Sequence, residues 1–439
     1  MKKVLIITYY WPPASGPGVQ RWLKFSKYLK EFNWEAVILT VQGGSYVNQD
    51  EELQKDVDSS IMVYKTKTLE PFLIYNALRG QKGKAVEIGM GNLKGNPSYF
   101  KRFIRHIRSN YFVPDARLGW NRFAIPKALD LIEKEGIDLV ITTGPPHSTH
   151  LIGLELKKKK SITWIADFRD PWTSIYYEKY LSRTIKSSVK NKRLEDETVE
   201  NSDALLVVSE GMKKEFLDRN ENTVVIPNGY DEDDMPEKLH LKSDIFKLAF
   251  IGNLKVNQNI KALWEAVSEL KSELENFEKD FKLSFTGNVN EEIKKTIQSM
   301  ELDGVTEYNP FVKHSEAFRL MSISNLLYLP IPEAENNRLI ITGKIFEYIA
   351  SGSPILGIGP VDGNASDLLI SCNRNRMIDY NDKHSIKEYI KANYLFWKEH
   401  DGLSKKFTDD GFEQYSRKNI TASLAKLMEE TLANVDRSK

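Results

Sequence analysis

The chain has 439 residues, 41% of them hydrophobic and 28% charged, with 25 Gly and 17 Pro. These proportions speak against collagen-like, coiled-coil and disordered classes, and the length predicts two or three domains. With 62 basic against 61 acidic residues the net charge is +1, which argues against nucleic acid as a partner, and no apolar run approaches the ~18 residues that would span a bilayer.

The short apolar start Val4-Leu5-Ile6-Ile7-Thr8 is too brief for a secretory segment and reads as a first buried strand. Cys372 is the only cysteine, so an intrachain disulfide is excluded and a reducing, cytoplasmic compartment is expected. Apolar β-rich runs then alternate with helical patterns. Strands are expected at 3–8, 35–40, 61–65, 138–142, 162–167, 204–208 and 223–227, with helices at 18–31, 121–135, 148–160 and 178–200. Asn228-Gly229 and the acidic run Asp231–Asp234 mark a seam near 229–245. A second series follows, with strands at 247–252, 281–286, 304–308, 325–329 and 354–358. Its helices are expected at 258–275, 290–300, 313–323, 343–351 and 383–398. The pattern predicts an α/β chain of two doubly wound, Rossmann-like domains, 1–235 and 240–414. A last helix, within 415–439, is expected to pack back on the first domain. Such domains bind ligands at the carboxyl ends of their strands, which makes a central cleft the expected site.

Several strand ends carry chemistry. After the first strand, Gly16 and Gly18 permit close backbone approach at a helix amino terminus, a place suited to an anion or a sugar hydroxyl. A tight structural turn accounts for them about as well. Arg21, one turn into that helix, could reach the same anion or stand as a surface residue. His147 follows Gly144-Pro145-Pro146 at a strand's carboxyl end, just before a helix. Asp167-Phe168-Arg169-Asp170 closes the next strand, either as polar ligand contacts or as an internal ion-pair network. In the second half, Gly252 ends the first strand of the new series, followed by Asn253 and Lys255. Gly343 and Lys344 open a helix, where an ammonium beside unpaired N–H groups suits a diphosphate. Glu347, three residues on, shares the face of Lys344 and could accept both hydroxyls of a ribose. A surface ion pair between Lys344 and Glu347 is the plainer alternative. No dependable metal motif is visible.

Taken in order, Tyr9-Tyr10-Trp11-Pro12-Pro13 with Gly16 and Gly18, Pro145-Pro146-His147, Asp167–Trp172, Ile226–Asp231, Phe250–Asn253 and Gly343–Gly352 resemble a family 4 (group 1) glycosyltransferase. The resemblance runs over about residues 1–360 plus a terminal helix. It implies the GT-B fold, a UDP- or GDP-sugar donor on the second domain, a hydroxyl acceptor on the first, and retention of anomeric configuration with neither metal nor cofactor. It further implies that Gly16 and Gly18 approach the donor phosphate or acceptor, His147 lies beside the transferred sugar, and Glu347 holds the ribose. Arg169 and Asp170 would contribute polar contacts there. Leu339 stands where the family commonly has a second Glu, and Asn253 where it often has Arg, so Lys255 or Lys344 would neutralise the diphosphate. These departures keep two other readings open: a catalytically silent carbohydrate-binding protein, and a nucleotide-sugar epimerase of the same fold.

Charge is uneven. Within 65–127 there are 13 basic residues against Glu70, Glu87 and Asp115. Residues 99–108 place Tyr99, Phe100, Phe103, Ile104 and Ile107 at helical spacing, with Lys101, Arg102, Arg105 and Arg108 between them. That stretch is either an ordinary domain helix or an interfacial one. The second reading would put the protein at the inner face of the plasma membrane, with a glycan or lipid-linked glycan acceptor.

Overall fold

The computed structural model describes residues 1–46, 49–70, 106–175, 178–235, 242–407 and 411–437. The expected amphipathic stretch 99–108 lies outside them, apart from 106–108. The chain divides into two compact units, Met1–Asn228 with Arg417–Lys439, and Gly229–Ser416.

In the first unit, strands β1 (Lys2–Ile7), β2 (Trp34–Val41), β3 (Met62–Thr66), β4 (Leu139–Gly144), β5 (Thr163–Phe168), β6 (Ala204–Val207) and β7 (Thr223–Val225) form one parallel sheet in the order β3-β2-β1-β4-β5-β6-β7. Parallel strands carry helices on both faces, so they are apolar at nearly every position. Successive residues of β1 show the consequence. Leu5 and Ile7 enter one core with Val37, Val140 and Leu205, while Val4 and Ile6 enter the other with Ile38, Ile141 and Ile165. The helix Arg417–Arg437 supplies Ile420, Leu424, Leu427 and Met428 to the second of these cores, beside the helix Pro17–Tyr28.

The second unit repeats the plan with β8 (Phe246–Ile251), β9 (Phe281–Thr286), β10 (Thr306–Asn309), β11 (Leu326–Pro330) and β12 (Ile355–Ile358), in the order β10-β9-β8-β11-β12. Both orders reverse beside the first strand of the unit, between β1 and β4 and between β8 and β11. At such a reversal the flanking connections diverge to opposite faces and leave a crevice at the strands' carboxyl ends. All twelve expected strands are present within about three residues of their expected ends. Among the described residues three α-helices are additional to those expected, Glu210–Phe216, Phe277–Asp280 and Asn364–Ser371. Each is only one or two turns long, too short for a periodicity to stand out. The expected helix 178–200 begins at Ile185, where Thr184 caps it by accepting a hydrogen bond from Ser187 N–H. Among the described residues no helix is long and apolar enough to cross a membrane.

One buried carboxylate ties the first unit together. Asp167, at the end of β5, accepts from Arg21 Nη2 at 2.9 Å, Trp22 Nε1 at 2.8 Å, Thr143 Oγ1 at 2.8 Å and Arg21 Nε at 3.3 Å. Arg21 also donates from Nη1 to the Pro227 carbonyl at 2.9 Å. Both side chains of the pair are fully enclosed. Removing one partner strands the other's charge in the interior, so Arg21→Ala should lower stability by about 3–5 kcal/mol in chemical denaturation. A loss below about 1 kcal/mol would show that water reaches the pair.

Candidate functional site

In the first unit the crevice between β1 and β4 collects the turn before the helix Pro17–Tyr28 and the turn after β4. Gly16 takes φ +128°, a conformation that L side chains rarely adopt, and a Cβ there would meet open space. Gly18 is required for a different reason. A Cβ on it would lie 1.4 Å from Arg169 Nη1, so the guanidinium occupies the room the missing side chain leaves. Arg169 donates to the Gly144 carbonyl at 3.2 Å and to the Pro145 carbonyl, which holds it across the end of β4. Asp170 is exposed. The expectation for Arg21 is corrected: its guanidinium is fully buried and committed to Asp167, Pro227 and Asn228, so it positions the glycine turn and does not reach a ligand. The internal network pairs Asp167 with Arg21 and leaves Arg169 on backbone carbonyls.

His147 stands in the turn His147–Thr149 at the end of β4. Asp115 fixes that turn by accepting from Ser148 N–H and Ser148 Oγ, each at 2.8 Å. The imidazole stacks on Trp172, with centroids 4.7 Å apart and planes 10° from parallel. Burial pushes its pKa down to about 4, against weaker support for the charged form from Asp115 and Glu195, so the ring is neutral near pH 7. Neither ring nitrogen has a side-chain hydrogen-bond partner among the described residues. A cavity of about 120 Å³ opens beside it, lined in part by Tyr10, Asp115, Arg117, Pro146 and Trp172.

In the second unit the same crevice lies at the end of β8. Gly252 has φ +126°, and its missing side chain leaves room for Lys344, whose Cε and Nζ lie 2.6 and 2.8 Å from where a Cβ would stand. Gly287, after β9, has φ +109° and packs against the Gly252 carbonyl. The Lys344 amine sits 4.7 Å above the Phe250 ring. Burial holds the amine down to about 8; Glu347 opposes that shift and Lys255 adds to it. Asn253 and Lys255 are exposed, and Gly343 immediately precedes the helix Lys344–Ala350. Seven residues give that helix little macrodipole, so the positive character of the site comes chiefly from the amine.

Glu347 does not pair with Lys344. Its Oε1 lies 3.1 Å from His314 Nε2, and Asp234 Oδ2 lies 3.9 Å from His314 Nδ1. Sequence reasoning passed over His314, although its place in the first turn of the helix His314–Ile323 was a usable signal. It also passed over Gly287, although Phe285-Thr286-Gly287-Asn288 repeats the pattern of Phe250-Ile251-Gly252-Asn253. The side-chain amide of Asn257 and the hydroxyl of Thr342 are buried without a hydrogen-bond partner among the described residues.

This architecture is shared widely. Sucrose-phosphate synthase from Thermosynechococcus elongatus superposes with a TM-score of 0.60 at 14% identity, covering 99% of this chain and 100% of that one. A TarM mutant of S. aureus, in complex with fondaparinux, alpha-GlcNAc-glycerol and UDP, gives 0.58 at 12% identity, with 98% and 100% covered. WaaG, a glycosyltransferase involved in lipopolysaccharide biosynthesis, gives 0.52 at 11% identity, with 98% and 99% covered. At such identities the likeness establishes the fold, which is GT-B. No curated protein sequence matches the chain. Residues 74–234, however, match the model of Glycosyltransferase Family 4. The family match covers these 161 of the chain's 439 residues.

The state of the Lys344 amine can be read directly. Competitive labelling with an amine-selective reagent should give Lys344 a titration midpoint near 8, while exposed lysines remain protonated to about 10.5. A midpoint above 10 would mean that the amine is solvated as on any surface.

Proposed function

We propose that this glycosyltransferase moves a hexosyl group from a UDP- or GDP-sugar to a hydroxyl of a glycan or lipid-linked glycan, with retention of anomeric configuration and without a metal. The donor would bind the unit Gly229–Ser416 and the acceptor the unit Met1–Asn228. The observation that carries the reading is the Lys344 amine lodged at Gly252, with the Glu347 carboxylate on the same short helix. An ammonium beside a bare glycine backbone suits a diphosphate, and a carboxylate one turn away suits the two hydroxyls of a ribose. The fondaparinux, alpha-GlcNAc-glycerol and UDP bound in the TarM complex, and the involvement of WaaG in lipopolysaccharide biosynthesis, support a sugar acceptor and a place in cell-surface polysaccharide assembly.

In the proposed reaction the bond from the sugar's anomeric carbon to the leaving phosphate oxygen breaks, and the acceptor oxygen forms its bond on the same face. The acceptor's proton passes to a phosphate oxygen of the departing diphosphate. Negative charge gathers on that diphosphate in the transition state, where Lys344 and Lys255 would stabilise it more than in the ground state. The Lys344 amine keeps its proton at neutral pH and loses it as pH rises through about 8, where a bound diphosphate would favour the charged form, so nucleotide affinity should decline as pH rises above about 8. His147, neutral at pH 7, would orient the transferred sugar through hydrogen bonds and need not act as a base. Gly16, Gly18 and Arg169 would approach the donor phosphate or the acceptor. The proposed location is cytoplasmic, peripheral at the inner face of the plasma membrane.

Nucleotide binding by calorimetry tests the donor site. Glu347→Ala should weaken it by about 1–3 kcal/mol through loss of charge-assisted hydrogen bonds. Unchanged affinity in a folded variant removes Glu347 from the site. His147→Ala should depress turnover with nucleotide affinity nearly intact, and equal activity would leave His147 a packing residue against Trp172. Incubating donor sugars without acceptor distinguishes the alternatives: slow hydrolysis for a transferase, no change for a binding protein, an isomerised donor for an epimerase.

A further inference from the structure

The helix Ile185–Asn201 buries Ser187, Asn191, Glu195, Thr198 and Val199 on one side. Its opposite side begins with two aliphatic residues in water, Ile185 at 86% exposure and Val189 at 64%. Four residues apart on a helix, they stand one above the other and make a continuous apolar strip. Tyr111, 73% exposed, follows a residue bonded to the start of this helix. Its neighbour Asn110 accepts from Thr184 N–H at 2.7 Å, donates to the Ser182 carbonyl at 3.2 Å, and takes a hydrogen bond from Ser187 Oγ on its carbonyl at 3.2 Å. Isolated exposed aliphatics are ordinary. Two such residues stacked on one helix face, with an exposed tyrosine next to a residue that bonds the helix start, are less so.

The charges around the strip are ordered against helix electrostatics. The first half of the helix holds Lys186, Lys190, Lys192 and Arg193 and no acidic residue, although its amino terminus is the end at which the helix dipole disfavours cations. Lys192 is answered by Glu195 and Asp196, and Arg193 by Glu197. Lys186 and Lys190, which flank Ile185 and Val189, have no ion pair among the described residues. They therefore offer positive charge outward beside the apolar strip.

We propose that the amino-terminal half of this helix, with Tyr111, is a docking face for an anionic lipid bilayer. The occupant follows from the chemistry. Ile185 and Val189 enter the headgroup–acyl boundary, Tyr111 lies at the level where one end of its ring is apolar and the other wet, and the lysine stems follow the strip while their ammonium groups meet lipid phosphates. A protein partner would require a broader apolar patch than two aliphatics and one ring. Its residues are other than those of the stretch 99–108. It deepens the membrane-associated reading above, yet rests on its own residues.

The test is sedimentation of the full chain with vesicles of phosphatidylglycerol and phosphatidylcholine in equal parts, against phosphatidylcholine alone. The wild-type chain should pellet with the anionic vesicles at low salt and be released as salt rises. The pair Lys186→Gln with Lys190→Gln should lower apparent partitioning about thirtyfold and flatten its salt dependence, since each lysine near such a surface contributes about fivefold. The pair Ile185→Ser with Val189→Ser should lower binding at every salt concentration. Both pairs replace exposed side chains, and circular dichroism and the thermal midpoint should match wild type. Wild-type protein that stays in the supernatant with anionic vesicles overturns the proposal. So does binding that survives both pairs, or that is lost only on replacing Arg102, Arg105 and Arg108. Nucleotide-induced thermal shifts in the same variants report the donor site separately, so failure of one reading is not mistaken for failure of the other.

Discussion

Asp167 is the group on which the first unit's active end depends. A carboxylate with no exposed surface is tolerable only if its charge is met and its oxygens are filled, and Arg21, Trp22 and Thr143 do both. The partners come from the first helix and from β4, while the carboxylate comes from β5. Arg21 extends the network to Pro227 and Asn228, the last residues before the second unit. The helix Pro17–Tyr28 is therefore held at one height over the sheet. That height places Gly18 where the Arg169 guanidinium can lie against bare backbone.

Glycines at strand ends do equivalent work in the second unit. Gly252 and Gly287 adopt positive φ and let two connections pack closely, and the space that Gly252 leaves is filled by the Lys344 amine. An alanine at residue 252 would have to displace that amine while adopting a strained backbone. The same burial that orders Lys344 lowers its affinity for a proton, so the amine is still mostly charged at neutral pH but loses that charge as pH rises through about 8. His147 is the converse. It is enclosed against Trp172, Phe168 and His150, held neutral, and left with its ring nitrogens unused by other side chains. Both residues are shifted by desolvation first and by neighbouring charges second.

The terminal helix completes this arrangement from a distance in sequence. Ile420, Leu424, Leu427 and Met428 belong to the core that contains Trp22, Leu23 and Phe25, so the helix bearing the glycine turn is covered on its outer side by the end of the chain. The chain thus leaves the first unit after Asn228 and returns to it at Arg417.

The sequence by itself determined the strands and the turns that follow them. Buried parallel strands must be apolar at nearly every position, and the chain can turn tightly at their ends only with residues such as Gly16 and Gly252. Both signals are local. The spacing of Lys344 and Glu347 on one helix was legible for the same reason. Tertiary structure decided what those side chains meet. Arg21 and Asp167 lie 146 positions apart, and His314 and Glu347 lie 33 apart. No periodicity encodes such pairings. They exist because doubly wound sheets gather the ends of distant strands at one edge, where a buried charge must find its partner among whatever residues the topology has brought there.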